Sequence, residues 1–195
     1  MIHKVELEIG GRTLVIETGK LAKQSNGAVT VRYADSMVLC TVCAETEPKM
    51  GQDFFPLTVE YREKTYAAGK IPGGFFKREA RPSEKEILSA RMIDRPLRPL
   101  FPDDFKGETQ CITFVVSHDQ KNDTDILAIT GTSAAIAISD VPIKKTVAAV
   151  RVEEAVPLSA ALLVAVTSTC SRLSSCSAFG VNVRRVSPST VFPPA

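Results

Sequence analysis

Gly73-Gly-Phe-Phe-Lys-Arg-Glu-Ala-Arg-Pro-Ser-Glu-Lys-Glu-Ile-Leu-Ser-Ala-Arg-Met-Ile-Asp-Arg-Pro-Leu-Arg-Pro-Leu-Phe101 joins an aromatic, basic loop to a helix with a marked start. Phe75 and Phe76 stand directly before Lys77 and Arg78. Paired rings beside paired cations suit single-stranded nucleic acid, because bases stack on rings while phosphates meet guanidinium groups. Ser83 and Glu86 have capping-box spacing, so a helix is predicted from about Glu84. Pro96 is expected to stop it, since the residue before a proline is pushed out of the α region. Arg91 and Arg95 are four apart and share one face of that helix.

Composition alone leaves two readings of this stretch. In one, a capped surface helix carries solvated charges, its arginines paired with Glu84, Glu86 and Asp94. In the other it holds RNA. The order of the residues separates them.

Phe-Phe-Lys-Arg-Glu, then Arg-Pro-Ser-Glu, then Arg-Met-Ile-Asp-Arg-Pro-Leu-Arg-Pro-Leu-Phe-Pro closely resembles the first core domain of the bacterial polynucleotide phosphorylases. The likeness runs from about Val5 to Val152. It takes in Gln52-Asp-Phe-Phe-Pro-Leu-Thr-Val-Glu-Tyr61, Gly69-Lys-Ile-Pro-Gly-Gly74 and Ser117-His-Asp-Gln120. It implies an α+β domain of ribonuclease PH-like fold, related to the second domain of ribosomal protein S5, with a mixed sheet and packed helices. It also implies a part in a 3′-to-5′ exoribonuclease that phosphorolyses RNA to nucleoside diphosphates during mRNA degradation. The RNA contacts expected on that basis are Phe75, Phe76, Lys77, Arg78, Arg81, Arg91, Arg95 and Arg98.

The family's reaction needs donors for an attacking inorganic phosphate and a carboxylate-held Mg²⁺ for the leaving oxygen. Those parts belong to a second, homologous core, where a serine-rich loop before a helix grips phosphate. The counterpart here is read as Gly131-Thr-Ser-Ala-Ala135, a loop that keeps one serine. No catalytic residue and no metal ligand is therefore expected in this chain. By resemblance, this half binds single-stranded RNA and supports assembly, as a homotrimer and in degradosome-type complexes. Two alternatives stand beside it: a non-catalytic RNA-binding or assembly fragment, and a ribonuclease PH-type enzyme trimming tRNA 3′ ends. The Phe-Phe-Lys-Arg-Glu word and the sparse Gly131 loop disfavour the second.

The rest of the sequence fits one globular domain with a tail. The chain has 195 residues, 44% hydrophobic and 24% charged, and a net charge of +2, too small by itself to argue for nucleic acid. Five cysteines, an odd number, fit a reducing compartment. Cys40 and Cys43 form a lone CxxC in a strand-like run, where they point to opposite faces and read as buried structural thiols. The start lacks a signal-peptide core, and Val156–Val166 falls short of the roughly 20 apolar residues that span a bilayer. The expected location is the cytoplasm, with no membrane partner.

Val5, Leu7 and Ile9 alternate with Glu6 and Glu8, the pattern of a half-buried strand, and Gly10-Gly11 turns it into Leu14-Val-Ile16. Val29–Tyr33 and Met37–Cys43 predict a second hairpin, and Leu57–Tyr61 a fifth strand. Arg62 to Pro82 reads as a long loop. Cys111–Val116 predicts a strand, Asp123 a cap for a helix through about Ile138, and Ile143–Val152 a last strand. His118, Asp119, Asp123 and Asp125 read as a turn and a helix start, because Thr124 stands where a calcium loop needs glycine. After Glu154 there is no acidic residue. The division expected is 1–152 as the core domain and 153–195 as a divergent, frameshifted or poorly ordered tail. That tail should leave Thr146–Val152 without its usual partner strand.

Overall fold

The structure, a computed structural model, describes residues 1–45, 53–73, 79 and 81–151 in full, and 152–153 and 161–168 as backbone. Two hairpins begin the chain: β1 (His3–Ile9) with β2 (Arg12–Thr18), and β3 (Gly27–Tyr33) with β4 (Ser36–Ala44). Gly10 and Gly11 both have positive φ, +59° and +74°, as the favoured two-residue hairpin turn requires. β5 (Leu57–Glu63), helix α1 (Glu84–Leu97), β6 (Thr109–Ser117) and helix α2 (Thr124–Ile138) follow, then β7 (Thr146–Glu153) and β8 (Ala161–Ser168).

The first six strands form one sheet in the order β1-β2-β3-β4-β6-β5. All neighbours are antiparallel except β5 and β6, so the sheet is mixed and the fold is α+β, as the sequence predicted. Period-2 alternation selects one face for burial. Ser36, Val38, Cys40 and Val42 of β4 are buried, together with Thr109, Cys111, Thr113 and Val115 of β6. α1 covers the β5 side of that face and α2 lies across β3 and β4. Ile93, Leu97, Ile129 and Ile136 supply the helices' share of the core. Phe55, Phe101 and Phe105 close one end, with Phe55 and Phe101 centroids 4.6 Å apart.

Several expectations need correction. β1 is not half-buried: every residue from His3 to Ile9 is exposed, because the helices sit over β3 to β6 and not over this edge. Cys43 is exposed, since its face of β4 carries no described helix, whereas Cys40 and Cys111 are buried. Burial pushes both of those thiols up to about 12, which makes them inert. The segment from Arg62 to Pro82 is not all loop, for β5 runs through Glu63 and Thr65–Ala68 forms a 3₁₀ turn ended by left-handed Gly69.

Pro96 does not stop α1. The helix continues to Leu97, and the Arg98 amide still reaches the Asp94 carbonyl, so the proline costs one bond in a last turn that had few to lose. A 3₁₀ turn, Arg98–Leu100, takes over from there. Nor does β7 lack a partner. It pairs antiparallel with β8 from Thr146↔Ser168 to Glu153↔Ala161. On its other edge the Val147 and Ala149 amides donate to Ser133 Oγ (2.7 Å) and Thr130 Oγ1 (3.4 Å) of α2. Among the described residues no helix is long and apolar enough to cross a membrane.

Candidate nucleic-acid interface

α1 carries the basic residues, and its start is fixed as the spacing predicted. Ser83 Oγ accepts from the Glu86 amide at 3.3 Å, while Glu86 Oε2 accepts from the Ser83 amide at 2.6 Å. Glu86 Oε1 also accepts from the Glu63 amide at 2.8 Å, so one buried carboxylate ties the helix start to the end of β5. That carboxylate is spent on backbone and is not an arginine partner. Glu86, Ser89, Ile93 and Leu97 form the buried face.

The opposite face is wet. Ile87 and Leu88 are exposed there at 47% and 59%, followed by Arg91 and Arg95 at the next two turns. Among the described residues, neither arginine has a hydrogen bond or ion pair, and Arg81, just before the helix, has none either. Arg98 differs. Its Nη2 and Nε hold both Asp94 oxygens, at 2.8 and 3.2 Å, and Nη2 also reaches the Leu57 carbonyl at 3.2 Å. Lys85 is likewise committed, to both oxygens of Glu63. Arg91 and Arg95 thus lie on one open face of α1, with Arg81 just before its start and Arg98 just past its end. Phe75, Phe76, Lys77 and Arg78 lie outside the described residues. Glu79, the residue after Arg78, is anchored: its carboxylate accepts from the Thr65 amide and its carbonyl from Lys64.

A second polar cluster joins β5, α1, α2 and β7, and the sequence reading did not find it. Glu63 Oε1 accepts from Tyr61 and from Thr124, each at 3.0 Å, as well as from Lys85. Burial works to raise the Glu63 carboxyl, but Lys85 and the two hydroxyls outweigh it and hold it below its ordinary value. Beside it, Arg151 of β7 pairs with Asp123 and, at 2.8 Å, with Asp125. Asp123 does occupy the N-cap position of α2, yet its side chain caps nothing, because Arg151 takes it. A lone cation inside the apolar β7 pattern was the one local clue. The remaining members come from distant elements that only the fold brings together.

Gly131-Thr-Ser-Ala-Ala135 is not a loop. It lies inside α2, where Gly131 passes close over β3 and β4, Thr132 bonds Thr113 and Ser133 serves β7. The segment preceding α2 is instead the Ser117–Asp123 turn. Asp119 organises that turn, accepting from the Lys121 and Asn122 amides at 2.9 and 2.8 Å and from Ser36 Oγ at 3.0 Å. Burial opposes ionisation there, but these donors keep the carboxyl far below its usual range. Mg²⁺ requires carboxylates converging on open space. Here Asp123 and Asp125 face Arg151, Asp119 is filled by amides, and no described group of three or more candidate ligands converges. These residues do not fit Mg²⁺.

A mixed sheet with two helices on one face, a capped basic helix and a plugged second-helix start define a ribonuclease PH-like core. The sequence profile described as "3' exoribonuclease family, domain 1" matches residues 10–142, and the chain belongs to that family. Polyribonucleotide nucleotidyltransferases of Mesorhizobium japonicum and Parvibaculum lavamentivorans are 61% and 62% identical to it over 150 and 151 residues. Each alignment covers 77% of this chain but only 21% of the relative, so the chain spans about a fifth of those proteins. Two solved structures share the fold. The Archaeoglobus fulgidus exosome with RNA bound to the active site aligns with a TM-score of 0.54 at 12% identity. Rice (Oryza sativa) Rrp46 aligns at 0.51 and 15%, and both alignments cover 77% of this chain and 61% of the other.

Proposed function

We propose that this chain is the RNA-holding, non-catalytic first core of a phosphorolytic 3′-to-5′ exoribonuclease acting in mRNA degradation. The observation that carries this reading is the pair Arg91 and Arg95, exposed on α1 with no described protein anion, thirteen and seventeen residues along the sequence from Arg78. A single strand would stack on Phe75 and Phe76 and lay phosphates along Lys77, Arg78, Arg81, Arg91, Arg95 and Arg98. Arg98 would act partly by holding α1 against β5. The relatives' name implies nucleotidyl transfer, and phosphorolysis would use inorganic phosphate and Mg²⁺ supplied at a site outside this chain. Homotrimeric assembly, degradosome-type complexes and a cytoplasmic location belong to the same reading. So does the division into a core, 1–152, and a divergent tail, 153–195.

Absence of turnover follows from charge. An attacking phosphate needs unpaired donors and positive potential. At the start of α2 the cation Arg151 is already spent on Asp123 and Asp125, and a ribonuclease PH-type trimming enzyme would meet the same obstacle. Titrating labelled single-stranded RNA at several salt concentrations tests the binding half. Phe76→Ala should lose about 1–3 kcal/mol. Arg91→Ala/Arg95→Ala should lower the salt slope by roughly 1.4, at about 0.7 per phosphate contact on a single strand. Unchanged affinity and slope in both would leave α1 a solvated helix. Incubation with oligoadenylate, phosphate and Mg²⁺ should release no nucleoside diphosphate. Phosphate-dependent shortening abolished by Asp123→Ala or Ser133→Ala would give this half its own active site.

A further inference from the structure

β1 is a seven-residue edge strand exposed along its whole length. Its helix-side residues Val5, Leu7 and Ile9 are 53%, 37% and 37% exposed, because α2 packs on β3 and β4 instead. The two-residue turn makes Ile9 and Arg12 the closing hydrogen-bonded pair, so Leu7, Val5 and His3 also exchange their bonds with β2. The backbone groups of Lys4, Glu6 and Glu8 therefore point outward along an edge that no described strand covers. Such an edge is a template for another strand.

We propose that a second copy of this chain pairs with this edge, β1 antiparallel to β1, about a two-fold axis through Val5. Charge selects the register. An axis through Lys4 sets Lys4 against the partner's Lys4. One through Glu6 sets Glu6 against the partner's Glu6, and one through Leu7 sets Glu6 against the partner's Glu8. Like charges directly opposite are destabilising. The axis through Val5 sets Lys4 opposite the partner's Glu6 and Glu6 opposite the partner's Lys4, with no like pair. These are outward-bonding positions in both copies, as a hydrogen-bonded pair demands. Lys4 faces Glu17 on its inner side and pairs with Glu6 along its own strand, so this register sets two such pairs against each other with opposite charges adjacent. On the helix side Val5 meets the partner's Val5, and the exposed apolar floors of the two hairpins merge. The contact is isologous and closes on itself, leaving no further free strand at that end.

Sedimentation of the full 195-residue chain over a concentration series reads the association. Lys4→Glu and Glu6→Lys each create two like pairs and should weaken the dimer about tenfold. Lys4→Glu/Glu6→Lys restores opposite charges and should restore the wild-type constant. Hydrogen exchange supplies an independent readout. The Lys4 and Glu6 amides should gain protection with concentration, while Val5 and Leu7, bonded within the hairpin, should not. A monomer at every concentration, association indifferent to the charge swap, or concentration-independent protection at Lys4 and Glu6 would each overturn the proposal. The last would mean that the chain covers its own edge.

Discussion

Replacing Gly131 by alanine tests the packing on which the whole domain depends. The residue sits where α2 crosses β3 and β4, and an added methyl would stand 2.6 Å from Cys40 Sγ and 2.8 Å from Val31 Cγ2. Ordinary carbon contacts lie at about 3.5–4.0 Å. Both neighbours are fully buried, so neither has room to retreat. Overpacking of this kind costs about 1–3 kcal/mol, and two overlaps place it in the upper part of that range. Alanine returns about 1 kcal/mol of helix propensity. The expected net loss is about 1–2 kcal/mol, read as a lower urea midpoint at unchanged slope. Cys40→Ala removes the nearest atom, so the double variant should lose less than the sum of the singles, with a coupling of roughly 1 kcal/mol. A midpoint raised by Gly131→Ala, or strictly additive losses, would refute the close approach as the reason for glycine.

Other variants probe the polar joints. Glu86→Ala strips acceptors from the Ser83 and Glu63 amides at once and should cost about 2–3 kcal/mol, against about 1 for Ser83→Ala; equal losses in urea melts would count against the shared carboxylate. Asp119 has a folded-state pKa held below the ordinary carboxylate value, so its stabilisation is present above that ordinary value and lost as pH falls toward the folded one. Asp119→Asn should therefore flatten the acid limb of the stability–pH curve, and an unchanged limb would show that the turn does not prefer the carboxylate. Arg151→Met leaves Asp125 buried without its cation and should cost about 3 kcal/mol near neutrality, shrinking in acid. A loss independent of pH would point to packing rather than charge.

What the sequence disclosed was local. The Ser83–Glu86 box, the Gly10-Gly11 turn and the apolar runs of β3, β4 and β6 are short-range patterns, and each stands where the sequence placed it. β1 shows the limit. Its polar–apolar alternation is regular, but period states only which residues share a face, and the reach of α2 decides whether that face is covered. Gly131 misled for a related reason. The resemblance made it part of a loop, whereas here it marks a close helix-to-sheet contact. On the basic face, charge spacing put Arg91 and Arg95 together. It did not distinguish them from Arg98, whose partner Asp94 is one turn earlier. The Glu63 and Arg151 cluster left only the lone cation Arg151 as a local clue, because its members come from four elements.

Synthesis of this chain meets the sheet out of spatial order. β6 is the sixth strand made but lies between β4 and β5. A nascent chain that has emerged through β5 holds a four-strand meander with the outer edge of β4 open, beside a fifth strand whose neighbour does not yet exist. Both edges close in the same event, when Thr109–Ser117 slides between them and sets Ala44 against Thr109. At roughly 5–20 residues per second, β4 waits on the order of 3–13 seconds for that neighbour. The strand at the centre of the finished domain is thus, during translation, one of its open flanks.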